Sequence, residues 1–192
     1  APYLVTVTKR DDLKPELKRT RALLLESGLD PTGFRTLLVR GLSNPNGYQD
    51  GDVFELSSEY DYLGEGDILR VDPGSGSMRC LYRRHSPHNT ILLTERCNHY
   101  CLMCSQPPKD IDDAWLMDEA MALIGLIPPE TEGLGFSGGE PTLYGERLLE
   151  LLRHTKVRLP TTAIDVLSNG RAFKDLSFAK RYCDAYRNDF GW

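Results

Sequence analysis

Ile91-Leu-Leu-Thr94-Glu-Arg-Cys97-Asn-His-Tyr-Cys101-Leu-Met-Cys104 is the stretch on which the reading of this chain turns. The apolar run at 91–94 predicts a short strand, and three cysteines follow it within eight residues. A loop that leaves a strand sits at the strand's carboxyl end, where parallel α/β folds gather their chemistry. Downstream the pattern repeats. A helix is predicted over about 113–126, with Leu116, Ala120, Leu123, Ile124 and Ile127 on one side, stopped by Pro128-Pro129. A second strand at 133–137 runs into Gly138-Gly139, and a helix follows near 144–154. A third strand at 163–167 meets Ser168-Asn169-Gly170, and a helix follows near 177–187. Strand, loop and helix, three times over, predict parallel βαβ packing.

Upstream the pattern differs. Residues 2–7 predict a strand. Asp11 and Asp12 offer helix N-caps, Pro15 suits a first turn, and Leu17, Leu24 and Leu25 give the helix an apolar side that Gly28 would stop. A strand at 36–39 precedes a turn at 43–47. Gly51-Asp-Val-Phe-Glu-Leu56 is echoed by Gly66-Asp-Ile-Leu-Arg-Val71, each a Gly-Asp turn feeding a strand, and another strand is expected at 78–84. Ser86-Pro-His-Asn89 reads as a linker. The expected division is therefore a small β-rich α+β domain with one helix at 1–86, then an α/β domain at 87–192.

The 192 residues suffice for a buried core without disulfides. Lys+Arg number 23 against 28 Asp+Glu, a net charge of −5, which argues against a general nucleic-acid binder. No run approaches the roughly 18 apolar residues of a membrane span, and the first eight residues are too short an apolar run for a signal peptide. Five cysteines, three of them crowded together, suit a metal site in a reducing cytoplasm better than a disulfide framework.

The triplet by itself leaves three chemistries open. Zinc would need a fourth ligand, from His99, Cys80 or His85. A closed electron-transfer cluster would recruit Cys80 or Cys183. A 4Fe–4S cluster held by three cysteines would leave one iron open to a ligand that is not protein. Buried packing is the expectation for Cys80 and Cys183. His85, His88 and His154 read as surface or capping residues, and Arg83-Arg84 as a solvated strand end.

Cys97-x3-Cys101-x2-Cys104 after a strand, with Gly138-Gly139-Glu140-Pro141 ending the next strand, resembles the radical S-adenosylmethionine (SAM) enzymes over about residues 90–192. The resemblance implies the N-terminal half of a partial (β/α)6 barrel, whose later strands would lie beyond the three units seen here. It implies that Cys97, Cys101 and Cys104 hold three irons and that the amino and carboxylate groups of SAM chelate the fourth. One electron would then break a carbon–sulfur bond, giving methionine and a deoxyadenosyl radical that abstracts a substrate hydrogen. Gly138 and Gly139 would let the main chain approach the methionine group, Glu140 would complement its ammonium charge, and Pro141 would fix the exit to the helix. Met103 stands where the family usually has an aromatic residue whose backbone lies near the adenine. Asn169 is a candidate for the cofactor site or substrate pocket, against the alternative of an ordinary polar turn.

The longer phrase from Ile91 through Cys104 to Ser105-Gln-Pro-Pro-Lys109, then Asp112-Asp-Ala-Trp-Leu116, resembles the radical SAM maturase of the His-Xaa-Ser repeat peptide system. That implies a cytoplasmic enzyme acting on a ribosomally made peptide. It would work with an electron donor and partner maturation proteins, without nucleic acid or membrane. Another peptide- or protein-modifying radical SAM enzyme is the near alternative. A non-catalytic zinc or iron–sulfur module is the alternative from another class.

Overall fold

The computed structural model describes residues 1–41, 51–104 and 107–186. The turn expected at 43–47 lies outside them, as do Ser105, Gln106 and Arg187. The chain forms two compact units, Ala1–Ser86 and Pro87–Trp192.

The first unit is a six-stranded sheet in the order β4-β3-β2-β1-β5-β6. Its strands are β1 Tyr3–Thr8, β2 Arg21–Leu24, β3 Thr36–Arg40, β4 Asp52–Leu56, β5 Ile68–Asp72 and β6 Ser77–Tyr82. β1 to β4 pair in parallel, while β5 pairs antiparallel with β1 and with β6. The helix expected to run toward Gly28 is only the four residues of α1, Pro15–Lys18. Asp11 and Asp12 do not cap it. Asp11 accepts the Asp30 N–H at 2.7 Å and Asp12 pairs with Arg10 at 3.0 Å.

Residues 21–24 are strand because both faces of the sheet are covered. Leu24 packs with Val5, Val7 and Leu38 on one face, and Leu23 with Phe34, Leu37 and Val39 on the other. A strand buried on both sides is a continuous apolar run, which sequence periodicity does not separate from a buried helix. Cys80 packs against the first of these cores, and burial pushes its thiol up to about 11. It is therefore a poor thiolate donor.

The second unit carries three parallel strands in the order β7-β8-β9: His88–Thr94, Gly133–Gly138 and Ala163–Val166. α2 (Ala114–Ile124) joins the first pair, α3 (Glu146–Arg158) the second, and α4 (Leu176–Tyr186) follows β9. The expected linker is shorter than its four residues, since His88 and Asn89 already pair with Gly133 and Leu134. α2 buries Leu116, Met117, Ala120, Leu123 and Ile124, and α3 buries Leu148, Leu149, Leu151 and Leu152. Both helices bury an apolar stripe of the kind expected of helices packed on a sheet. Cys183, expected to be packed, is exposed on α4, whose buried residues are Phe178 and Ala185. This mixed α/β arrangement of successive parallel βα units is compatible with part of a (β/α) barrel. Among the described residues no helix is long and apolar enough to cross a membrane.

Candidate functional site

The carboxyl ends of β7, β8 and β9 lie along one edge of the parallel sheet. The cysteine loop, Gly139-Glu140 and Leu167–Asn169 leave from them. Two clamps hold these three loops together.

The first clamp roots the cysteine loop. Asp113 is buried, and its carboxylate accepts the Thr94 hydroxyl at 2.8 Å, the Glu95 N–H at 2.6 Å, Arg96 Nε at 3.0 Å and the Tyr144 hydroxyl at 3.1 Å. Although Asp113 precedes α2, its side chain does not cap that helix. Burial alone raises its carboxyl. The donors from Glu95, Thr94, Tyr144 and Arg96 outweigh burial and hold it below the usual carboxylate range. A carboxyl depressed in the folded state contributes stability above its unfolded value, near 3.9, and loses it as pH falls through the folded value. Asp113→Asn is therefore expected to cost about 3 kcal/mol at pH 7, because it puts an amide N–H among donors. In urea titrations of the full chain, the gap between wild type and variant should narrow at pH 3.

The second clamp is Glu140, which is fully buried. Its carboxylate accepts Thr142 N–H at 3.0 Å, Thr142 Oγ1 at 2.6 Å, Ser168 Oγ at 2.8 Å and Asn169 N–H at 2.7 Å. Three of these donors meet Oε1 and one meets Oε2. Glu140, expected to complement a bound ammonium group, caps the 3-10 turn Pro141–Tyr144 and ties the end of β9 to the end of β8. Pro141 starts that turn and is buried in it.

Gly138 and Gly139 lie against the root of the cysteine loop. Gly139 N–H donates to the Thr94 carbonyl at 2.8 Å and Glu140 N–H to the Arg96 carbonyl at 2.9 Å. Gly138 has φ +147°, and a Cβ there would stand 3.0 Å from the Thr94 nitrogen. At Gly139 a Cβ would stand 2.6 Å from the Arg96 carbonyl carbon and 3.0 Å from Cys97 Cβ. Beside this contact opens a cleft of ≈ 350 Å³, lined by Leu92, Glu95, Cys104, Lys109, Gly138 and Gly139 among others. Lys109 closes one side through its 2.6 Å ion pair with Glu95.

Cys97 and Cys101 are half-buried, Cys104 is exposed, and none of the three is in a disulfide. Met103 is 87% exposed. Among the described residues no three His, Cys, Asp or Glu side chains converge on a single metal ion. A cluster offers each cysteine a separate iron, so its ligands need not meet at one point. The donor set, three cysteines on one loop outside any disulfide, beside a side-chain-free wall and an open cleft, fits a three-cysteine cluster better than a four-ligand zinc site.

Asn169 reaches the same loop. Its Nδ2 is 2.9 Å from Asn98 Oδ1 and 3.9 Å from Cys97 Sγ. Arg171 donates to the Asn98 carbonyl at 3.2 Å and meets His99 Nδ1 at 3.2 Å. Sequence reasoning missed Thr94, Arg96, Asn98, Asp113, Tyr144 and Arg171. Only Asp113 carried a signal, and it was that of a helix start.

Residues 74–186 match the family model described as a 4Fe–4S single cluster domain. The match takes in more than half of the chain, which therefore belongs to that family, and a 4Fe–4S cluster is its cofactor. Among curated proteins, the chain is similar to the S-adenosylmethionine-dependent nucleotide dehydratase RSAD2 of Siniperca chuatsi, 33% identical over 89 residues. The aligned part is 45% of this chain and 25% of that protein, so the chain spans about a quarter of its relative's length. No solved structure matches. Together the family and the relative support the radical SAM superfamily.

Proposed function

We propose that the chain carries the cluster and cofactor site of a radical SAM enzyme that modifies a ribosomally made peptide in the cytoplasm. The observation that carries the cofactor part is the contact of Gly138-Gly139 with the root of the cysteine loop, beside the cleft. Held by Cys97, Cys101 and Cys104, a 4Fe–4S cluster would supply the single electron that splits a carbon–sulfur bond of SAM into methionine and a deoxyadenosyl radical. The residues of this chain hold and orient. Cys97, Cys101 and Cys104 ligate three irons. The main chain at Gly138 and Gly139 walls the cleft where the methionine group sits, Pro141 fixes that segment, and Met103 offers its backbone toward the adenine. The Asp113 and Glu140 clamps keep the three loops in register.

The test is anaerobic reconstitution of the full chain, with iron and sulfide measured per chain. Cys97→Ala, Cys101→Ala and Cys104→Ala should each lose the cluster, and Cys80→Ala and Cys183→Ala should keep it. Equal cluster content in the triple variant overturns the reading. Loss in either outlying variant revives a closed, four-cysteine cluster.

Peptide as substrate rests on the wording around the cysteine loop, which resembles the His-Xaa-Ser system maturase, with an electron donor and maturation proteins as partners. A nucleotide is the second reading, favoured by the RSAD2 relative, whose name states that it acts on nucleotides. Formation of 5′-deoxyadenosine in the presence of a His-Xaa-Ser repeat peptide or of nucleoside triphosphates, each with SAM and dithionite, separates the two.

A further inference from the structure

We infer that Asn169 is a positioning residue that sets the reduction potential of the cluster by donating a hydrogen bond to the Cys97 sulfur. This rests on the reading above that Cys97 is a cluster ligand.

The orientation of the Asn169 amide is fixed by its neighbours. Its Oδ1 accepts the Arg171 N–H at 3.0 Å, so that oxygen faces away from the cysteine loop. The NH2 end must then face the loop, and an amide NH2 has two protons to give. That nitrogen lies within reach of two acceptors, Asn98 Oδ1 at 2.9 Å and Cys97 Sγ at 3.9 Å. The backbone beneath is held as firmly. Asn169 N–H donates to the buried Glu140 carboxylate at 2.7 Å, and Gly170 N–H to Ser168 Oγ at 3.0 Å. The amide thus reaches the cysteine loop from a turn anchored to β8.

Hydrogen bonds to ligand sulfurs tune iron–sulfur potentials. A donor aimed at a thiolate stabilises the more negative of two states. Reduction adds one electron to the cluster from a low-potential one-electron donor, such as dithionite, with no proton moved and no bond made or broken. The reduced state therefore gains more from the Asn169 N–H, and the potential rises.

The experiment is an EPR-monitored redox titration of the reconstituted full chain without SAM. Asn169→Ala should lower the potential, so that at a fixed poise the reduced-to-oxidised ratio falls about fivefold, the scale of one net hydrogen bond. Asn98→Ala removes the neighbouring bond and leaves the donor to Cys97, so it should titrate as wild type. An unshifted Asn169→Ala with full cluster content overturns the inference. So does an equal shift in Asn98→Ala, which would assign the effect to loop placement.

A second measurement does not depend on the Asn169 variant holding a cluster. In Asn98→Ala protein labelled with 15N-asparagine, pulsed EPR of the reduced cluster should show a nitrogen coupling from Asn169. Its absence overturns the inference. A wild-type chain that binds no iron overturns the cluster reading itself, and this inference with it.

Discussion

Replacing Glu140 by glutamine should destabilise the second unit by about 3 kcal/mol and loosen the end of β9, although the side chains are almost the same size. The reason is donor count. The native carboxylate takes N–H or O–H groups from Thr142, Ser168 and Asn169, and its Oε2 faces the Asn169 N–H. An amide presents its own N–H to one of these donors, and rotating it only moves the conflict to another. The carboxylate and its two bonds to Thr142 are buried, so water relieves little of the conflict there. Glu140→Ala, which leaves the donors without an acceptor and opens a void, should cost as much or more. Urea unfolding followed by fluorescence gives the stability. Amide hydrogen exchange localises it, with protection expected to fall at Thr142 and Asn169 and to persist in β7. If Glu140→Gln matches wild type in both, the carboxylate is not the clamp its geometry describes. A Glu140 that acted mainly by pairing with SAM would show the opposite signature, with unchanged stability and exchange and weaker SAM binding.

Much of the second unit was legible in the sequence because its periods are unambiguous. The stripe from Leu116 to Ile124 and the strand-to-glycine transition at Gly133–Gly138 are each explained by local geometry alone. The cysteine spacing marked out the loop that leaves β7 at its carboxyl end. Two kinds of feature were not legible. One was Arg21–Leu24, where burial on both faces of the sheet erased the alternation that marks a strand. The other was the pair of buried acids. Asp113 stands where a helix cap belongs, and Glu140 sits in a motif whose resemblance points to a ligand's ammonium group. Their carboxylates are used instead by donors far away in sequence: Asp113 by Thr94 and Tyr144, 19 and 31 residues distant, and Glu140 by Ser168, 28 residues distant. No local pattern encodes a contact that exists only once three strand ends meet.

Gly139→Ala is expected to be the most damaging single-methyl change in the second unit. Its Cβ would meet the Arg96 carbonyl carbon at 2.6 Å and Cys97 Cβ at 3.0 Å. Main chain cannot turn aside as a flexible side chain can. The strand must back away, which breaks the Gly139 N–H to Thr94 and Glu140 N–H to Arg96 bonds that hold the cysteine loop against β8. A cost of about 3 kcal/mol or more follows from overpacking with two strained or lost hydrogen bonds. The loop displacement should also cut iron and sulfide content on reconstitution. Gly170→Ala is the matched control. That residue has φ +76°, and a methyl added there would meet nothing within 4 Å. The cost should therefore be the left-handed backbone penalty of about 1 kcal/mol, with the cluster retained. Comparing the two separates close approach from backbone conformation. A Gly139→Ala that loses only about 1 kcal/mol and keeps its iron, as expected of the control, would show that the wall at Gly139 has room to give, and that the loop's position does not depend on the missing side chain.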